Sequence, residues 1–215
     1  MNDNVAPSEA GFFFLAGAGG ARQPLRRMKM QLLPILISAL WLMSEVLVGI
    51  TRRAKAGSAK KDRYSFALIW IVYPLTIWIA VFAVFALRSW AVPKPLLFQL
   101  LGAIVFLAGQ SFRWYCIFYL GRYFTATVAI SADHRLIESG PYRWVRHPSY
   151  AANFMTVIGF GLSLANWASL LVLIIPTFAV HWWRMRIEEN ALLEAFGDAY
   201  RNYMARTKRL IPFIY

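Results

Sequence analysis

Residues 139–150 read Ser-Gly-Pro-Tyr-Arg-Trp-Val-Arg-His-Pro-Ser-Tyr, a basic and aromatic block in a chain that is 59% hydrophobic. Gly140-Pro141 predicts a turn. His147-Pro148 predicts a second break, because proline drives the residue before it away from helical geometry. Tyr142, Arg143, Trp144, Arg146 and His147 lie between the breaks, and an apolar segment starts after Tyr150. These side chains therefore sit where a loop meets a membrane surface. A juxtamembrane anchor has the same look, since basic and aromatic residues collect at headgroup level. What points to chemistry is a second polar cluster, Arg184 to Glu189, one apolar hairpin later. A hairpin returns the chain to its starting side. Topology alone thus gathers His134, Tyr142, Arg146, His147, Tyr150, Arg184, Glu188 and Glu189 around one pocket, suited to a ligand both charged and aromatic.

The elements that must position these residues are apolar helices. The expected fold is all-α and integral to the membrane, with five transmembrane helices that include a C-terminal helical hairpin. The first runs from about Gln31 to Ile50, with Pro34 tolerable in its first turn and Glu45 inside, where a carboxyl needs a partner or water. A structural pairing is the reading favoured for Glu45. Tyr64 to Leu87 and Leu96 to about Leu120 are the second and third helices. Arg113, in the third, either snorkels to the interface or faces the bundle interior. Thr125 to Ile130 suits a short extended piece. Tyr150 to Leu164 and Trp167 to Trp183 form the hairpin, each near or below the roughly 20 residues that span a bilayer. From Arg184, Ile187, Ala191, Ala195, Ala199 and Tyr203 recur every four residues, which predicts a separate cytosolic amphipathic helix. Leu210-Ile211-Pro212-Phe213-Ile214 reads as an apolar plug. The division expected is 1–29 as an interfacial or disordered lead-in, 30–120 as three transmembrane helices, and 121–215 as the catalytic half.

The 215 residues carry a net charge of +13, but the basic residues cluster at the ends of apolar runs. Membrane topology and anionic lipid surfaces account for that, and no nucleic acid is implied. The Lys/Arg excess falls on the side of the two polar clusters, which predicts a multi-pass protein whose site faces the cytosol. The N-terminal basic residues argue the other way. A single cysteine, Cys116, excludes an internal disulfide and a multi-cysteine metal site. There is no glycine-rich phosphate loop, no His-Glu-x-x-His helix and no nucleophile elbow. His134, His147, Glu188 and Glu189 lack a characteristic ligand spacing, so no metal is expected.

Asp133 to Tyr142, Arg146-His147-Pro148-Ser149-Tyr150, Glu188-Glu189, Phe196-Gly197-Asp198-Ala199-Tyr200 and the closing Leu210-Ile211-Pro212-Phe213 together resemble the isoprenylcysteine carboxyl methyltransferase family. The resemblance covers about residues 120–215. It implies a membrane enzyme that takes S-adenosyl-L-methionine from the cytosol and methylates a carboxylate on a lipid-like or prenylated acceptor entering from the bilayer, with membrane lipids around it. By position it implies that the cofactor is held by His134, Leu136, Ile137, Tyr142, His147, Ser149, Tyr150 and Glu188. Arg184 matches the arginine at the acceptor side, and Arg146 is a second catalytic candidate. Where the family often carries glycine after the motif tyrosine this chain has Ala152-Asn153, a departure that bears on the acceptor.

An ionised carboxylate needs a positioning cation and no general base, and a planar guanidinium supplies that. A thiol or a phospholipid amine as acceptor would need a base, for which His147 is the candidate. A non-catalytic membrane scaffold or transporter subunit would explain the helices but not the paired polar clusters.

Overall fold

The computed structural model describes residues 22–51, 63–125, 134–212 and 214, with side chains of 22–31 and 63–66 left aside. Among the described residues there are six α-helices and no strand. They are α1 (Arg22–Thr51), α2 (Arg63–Ala86), α3 (Pro95–Leu120), α4 (Pro148–Ser163), α5 (Trp167–Phe196) and α6 (Asp198–Arg206). Four of them, α1, α2, α3 and α5, are long and apolar enough to cross a membrane. α4 has 16 residues, which at 1.5 Å per residue gives about 24 Å, short of a hydrocarbon core of about 30 Å.

The expected ends of the second, third and fourth helices hold to within a residue or two, and proline sets two of the starts. Pro95 and Pro148 open α3 and α4, where a missing N–H costs nothing. Asn166 caps α5 by accepting from Ser169 N at 3.1 Å, and its side chain also donates to the Leu87 carbonyl at 2.9 Å. The hairpin turn is thereby tied to the end of α2.

Three expectations change. Residues 22–29, expected in the lead-in, are the first turns of α1. The tail from Arg184 is not a separate helix. α5 continues without a break for 30 residues and stops at Gly197, whose φ of 51° ends the helix before the short α6. The apolar plug does not form: Leu210 is buried, but Ile211 and Ile214 are exposed, as befits a segment lying along the bundle surface. The extended piece over 125–130 lies outside the described residues except for Thr125.

α3 and α4 meet backbone to backbone. A Cβ on Gly102 would stand 2.6 Å from the Gly159 carbonyl, and one on Gly109 would stand 2.6 Å from Thr156 N. Small residues allow this approach, and in a bilayer close packing replaces the hydrophobic drive between helices. α2 packs on α5, and α1 on α3 and α4. The apolar core joins these layers through Trp41, Tyr73, Phe106, Phe160 and Leu173, with the Trp41 and Tyr73 rings 5.3 Å apart between α1 and α2. Arg113 faces inward and donates to Glu45 at 2.9 Å. This is the structural pairing expected for Glu45, and it decides between the two expected positions of Arg113. Gln110 and Trp114 both donate to Ser44 alongside, so the α1–α3 contact is polar as well as apolar. Cys116 is buried and free.

Candidate active site

The loop after α3 turns twice before α4 begins. Gly140 has a φ of +59°, and the Tyr119 ring packs where a side chain on it would lie. The 3₁₀ turn Gly140–Arg143 then buries Tyr142, whose hydroxyl donates to the Cys116 carbonyl at 3.3 Å and whose carbonyl accepts from Tyr203 at 2.6 Å. Burial pushes the Tyr142 phenol well above its ordinary range, so it remains a neutral wall of the site. Next, Arg146 N donates to the Lys208 carbonyl at 2.8 Å and His147 N to the Arg209 carbonyl at 3.0 Å. Residues 207–209 are thus zipped onto the Arg-His-Pro motif.

Glu189 locks that junction. It accepts from Arg146 Nε at 2.9 Å, from Arg209 Nη2 at 2.6 Å and lies 3.3 Å from His147 Nε2. Arg146 also donates to the carbonyls of Met204 and Thr207. A buried carboxylate with several charge-assisted partners is held rigidly.

Its neighbour Glu188 points the other way, into the cavity, with its side chain 34% exposed. Tyr150 joins it to the acceptor-side arginine: its hydroxyl donates to Glu188 Oε2 at 2.8 Å and accepts from Arg184 Nε at 2.9 Å. The Tyr150 ring stacks on His147, with centroids 5.4 Å apart. His147 therefore stands between two carboxylates, its Nδ1 3.9 Å from Glu188 and its Nε2 facing Glu189.

One cavity is lined by every residue singled out as a cofactor or acceptor contact: His134, Leu136, Ile137, Tyr142, Arg146, His147, Ser149, Tyr150, Arg184 and Glu188. Glu189, grouped with them from topology, does not line it; it lies behind the wall. The same cavity continues along Glu45, Trp70, Tyr73, Arg113 and His181. Leu42 and Trp70 in its wall are exposed and belong to the apolar spans of α1 and α2. His181 carries a sequence signal of its own: His181, Arg184 and Glu188 follow at i, i+3 and i+7, one helical stripe. Glu45 and Arg113 carry the signal of a charge within an apolar run, whereas Tyr73 carries none.

Among the described residues no group of three or more His, Cys, Asp or Glu could hold a metal. The wall combines a carboxylate, stacked aromatic faces and apolar Leu136 and Ile137. That donor set fits an adenosine joined to an ammonium-bearing chain, which needs acceptors for its N–H and O–H groups and flat faces for its ring.

Comparison with known proteins agrees with the motifs. Residues 101–194 match the family described as isoprenylcysteine carboxyl methyltransferase. The chain is 35% identical over 116 residues to protein-S-isoprenylcysteine O-methyltransferase of Saccharomyces cerevisiae, covering 53% of this chain and 48% of that one. It is 30% identical over 176 residues to the protein of the same name from Rattus norvegicus, covering 80% and 61%. A solved structure of the eukaryotic intramembrane Ras methyltransferase of that family superposes with a TM-score of 0.56 at 29% identity, over 67% of this chain and 52% of that one. The chain thus spans about half to three fifths of the length of these relatives. Over residues 101–194 the chain is thus similar to the isoprenylcysteine carboxyl methyltransferase family.

Proposed function

We propose that this chain is an integral membrane methyltransferase that moves a methyl group from S-adenosyl-L-methionine to the carboxylate of a lipid-like acceptor, such as a prenylated cysteine. The observation that carries the reading is the one cavity in which all ten expected residues meet and whose lining continues to Leu42 and Trp70 in the apolar spans of α1 and α2. Relatives named protein-S-isoprenylcysteine O-methyltransferases support it.

In this reading Glu188 accepts from the cofactor's ammonium or ribose hydroxyls. His134, Tyr142, His147 and Tyr150 offer ring faces, Ser149 a hydroxyl, and Leu136 and Ile137 apolar cover. When bound, the cofactor supplies a methyl group already activated on a sulfonium. The chain's own task is alignment and exclusion of water. Arg184, buried at 4% exposure, holds the acceptor carboxylate as a planar cation. Tyr150 fixes Arg184 and Glu188 relative to one another, so donor and acceptor sites share one strut. Arg146, engaged with Glu189 and two carbonyls, braces the wall. No proton leaves a carboxylate in this transfer, so no general base is required.

The same reading has five crossings, with α4 the fifth, sheltered by its backbone contact with α3. The cavity's polar end faces the cytosol, following the Lys/Arg excess. Residues 121–215 form the catalytic half, and α1 to α3 the membrane scaffold that walls the acceptor path.

The test is direct. Purified protein in detergent is titrated with cofactor by calorimetry and then incubated with methyl-labelled cofactor and N-acetyl-S-farnesylcysteine. Cofactor binding followed by label in a base-labile ester is the expected result. Failure to bind cofactor would return the chain to the scaffold class.

A further inference from the structure

A second concavity lies on the far side of α4 from the cavity. It is a groove of about 740 Å³, within the roughly 300–1,000 Å³ of small-molecule sites. Pro148, Ala151, Met155 and Ile158 line it, whereas Ser149 lines the cavity. Phe112 and Tyr115 come to it from α3 and Phe178 from α5. The close approach of α3 to α4 and the small Ala151 leave room between these rings. From Pro148 to Ile158 the helix rises about 15 Å, half of a hydrocarbon core of about 30 Å. The groove therefore has the depth of one leaflet's acyl chain.

The groove changes character where α4 begins. Trp144 lines it there, half exposed, as an aromatic ring at headgroup level is. Arg143 lies over that ring, its guanidinium carbon 4.8 Å from the centroid. Val145, also in the lining, pairs with Lys208. Both cations are exposed. The neighbouring carboxylates are engaged elsewhere: Glu189 by Arg146 and Arg209, Glu138 by Arg206, and Asp198 by Arg201. Among the described residues neither Arg143 nor Lys208 has a carboxylate partner. An apolar slot one leaflet deep, with two uncompensated cations at its mouth, matches an anion that carries a fatty chain. A second copy of this chain matches it less well, since a two-fold contact would set the same cations against each other.

We propose that this groove binds one anionic phospholipid of the membrane, with an acyl chain along α4 and the phosphate against Arg143 and Lys208. The lipid also braces the fold. Leu210, Ile211 and Pro212 line the groove, directly after the residues that zip onto Arg146 and His147. A seated lipid holds that closing segment against the bundle from outside, and a ligand that binds only the closed arrangement stabilises it. This site stands apart from the methyltransferase reading and does not depend on it.

Native mass spectrometry tests it, on the full chain released from micelles that hold equal amounts of phosphatidylglycerol and phosphatidylcholine with the same acyl chains. Wild type should retain one phosphatidylglycerol, preferred by roughly 30-fold, the scale of two Lys or Arg side chains near an anionic lipid. Arg143→Gln/Lys208→Gln should bring the preference close to one. Arg88→Gln/Lys94→Gln, which removes the same charge beside the α4–α5 turn at the other end of α4, should leave it intact. Ala151→Phe fills the slot, keeps both cations and should abolish retention of either lipid. Phosphatidylglycerol should also raise the thermal midpoint of wild type and of the Arg88/Lys94 variant, but not of the Arg143/Lys208 variant. Retention of neither lipid or of both equally by wild type overturns the proposal, as does a preference that survives loss of Arg143 and Lys208 or undiminished retention in Ala151→Phe. Displacement by glycerol 3-phosphate would assign the cations to a free phosphate, and lipid-free dimers would assign the groove to a second copy; either result overturns it as well.

Discussion

Tyr150 holds Arg184 by its own hydroxyl, with the guanidinium Nε donating to it at 2.9 Å while the same hydroxyl donates to Glu188 at 2.8 Å. One oxygen thus couples the residue proposed for the acceptor to the residue proposed for the cofactor. Tyr150→Phe keeps the ring stacked on His147 and removes both bonds. It should weaken cofactor binding and acceptor turnover together, by about 1–3 kcal/mol in each because both partners are charged. Calorimetry and initial-rate kinetics on the same preparation check it; a change in one alone would mean that the strut does not couple the two sites.

Glu188→Ala should weaken cofactor affinity and Glu194→Ala should not. Glu188 lines the cavity, whereas Glu194 is exposed on the continuation of α5, where a charge contributes little. Titration of both variants decides the matter, and a wild-type Kd in Glu188→Ala would remove it from the site.

Arg184→Lys should leave cofactor binding near wild type and lower kcat/KM toward the acceptor. Lysine keeps the charge but not the planar fork. Loss of such a pair costs roughly 2–4 kcal/mol, or roughly 30-fold to 900-fold in kcat/KM. Full activity in the variant would leave Arg146 as the remaining candidate for the acceptor carboxylate.

Glu189→Ala should act on the fold before it acts on chemistry. It strands Arg146 and His147 in the wall, and removing one partner of a buried ionic cluster costs about 3–5 kcal/mol. A lowered thermal midpoint in detergent, with milder loss in Glu189→Gln, is expected. An unchanged midpoint would show that Arg146 finds enough partners in the Met204 and Thr207 carbonyls.

The helix ends were legible where proline or an apolar run marks them, as at Pro95 and Pro148. The continuation of α5 was not, because composition changes at Arg184 while the backbone does not. No glycine or proline stands between Thr177 and Phe196, so nothing ends the helix before Gly197. The residues around the cavity's polar end were legible because they recur at motif spacing on either side of one hairpin. Glu189 looked like a lining residue because it adjoins Glu188, yet neighbours on a helix point about 100° apart, and one faces the cavity while the other faces the lock. The Glu45–Arg113 pair and the Tyr73–His181 contact cross between helices distant in sequence. Each joins polar groups inside apolar runs, and no local pattern says which will meet.

The pairing of residues 146 and 147 with residues 208 and 209 bears on the order in which the protein can be assembled. The bundle core joins α1 to α5 and needs nothing later in the chain, but the junction closed by Glu189 waits for Arg209. During synthesis, therefore, a packed membrane bundle exists before the cavity has its last wall. Until that moment Glu189 lacks Arg209, and the backbone at Arg146 and His147 lacks its partners at Lys208 and Arg209, so a chain halted before residue 208 would be inserted and compact yet unable to hold a ligand.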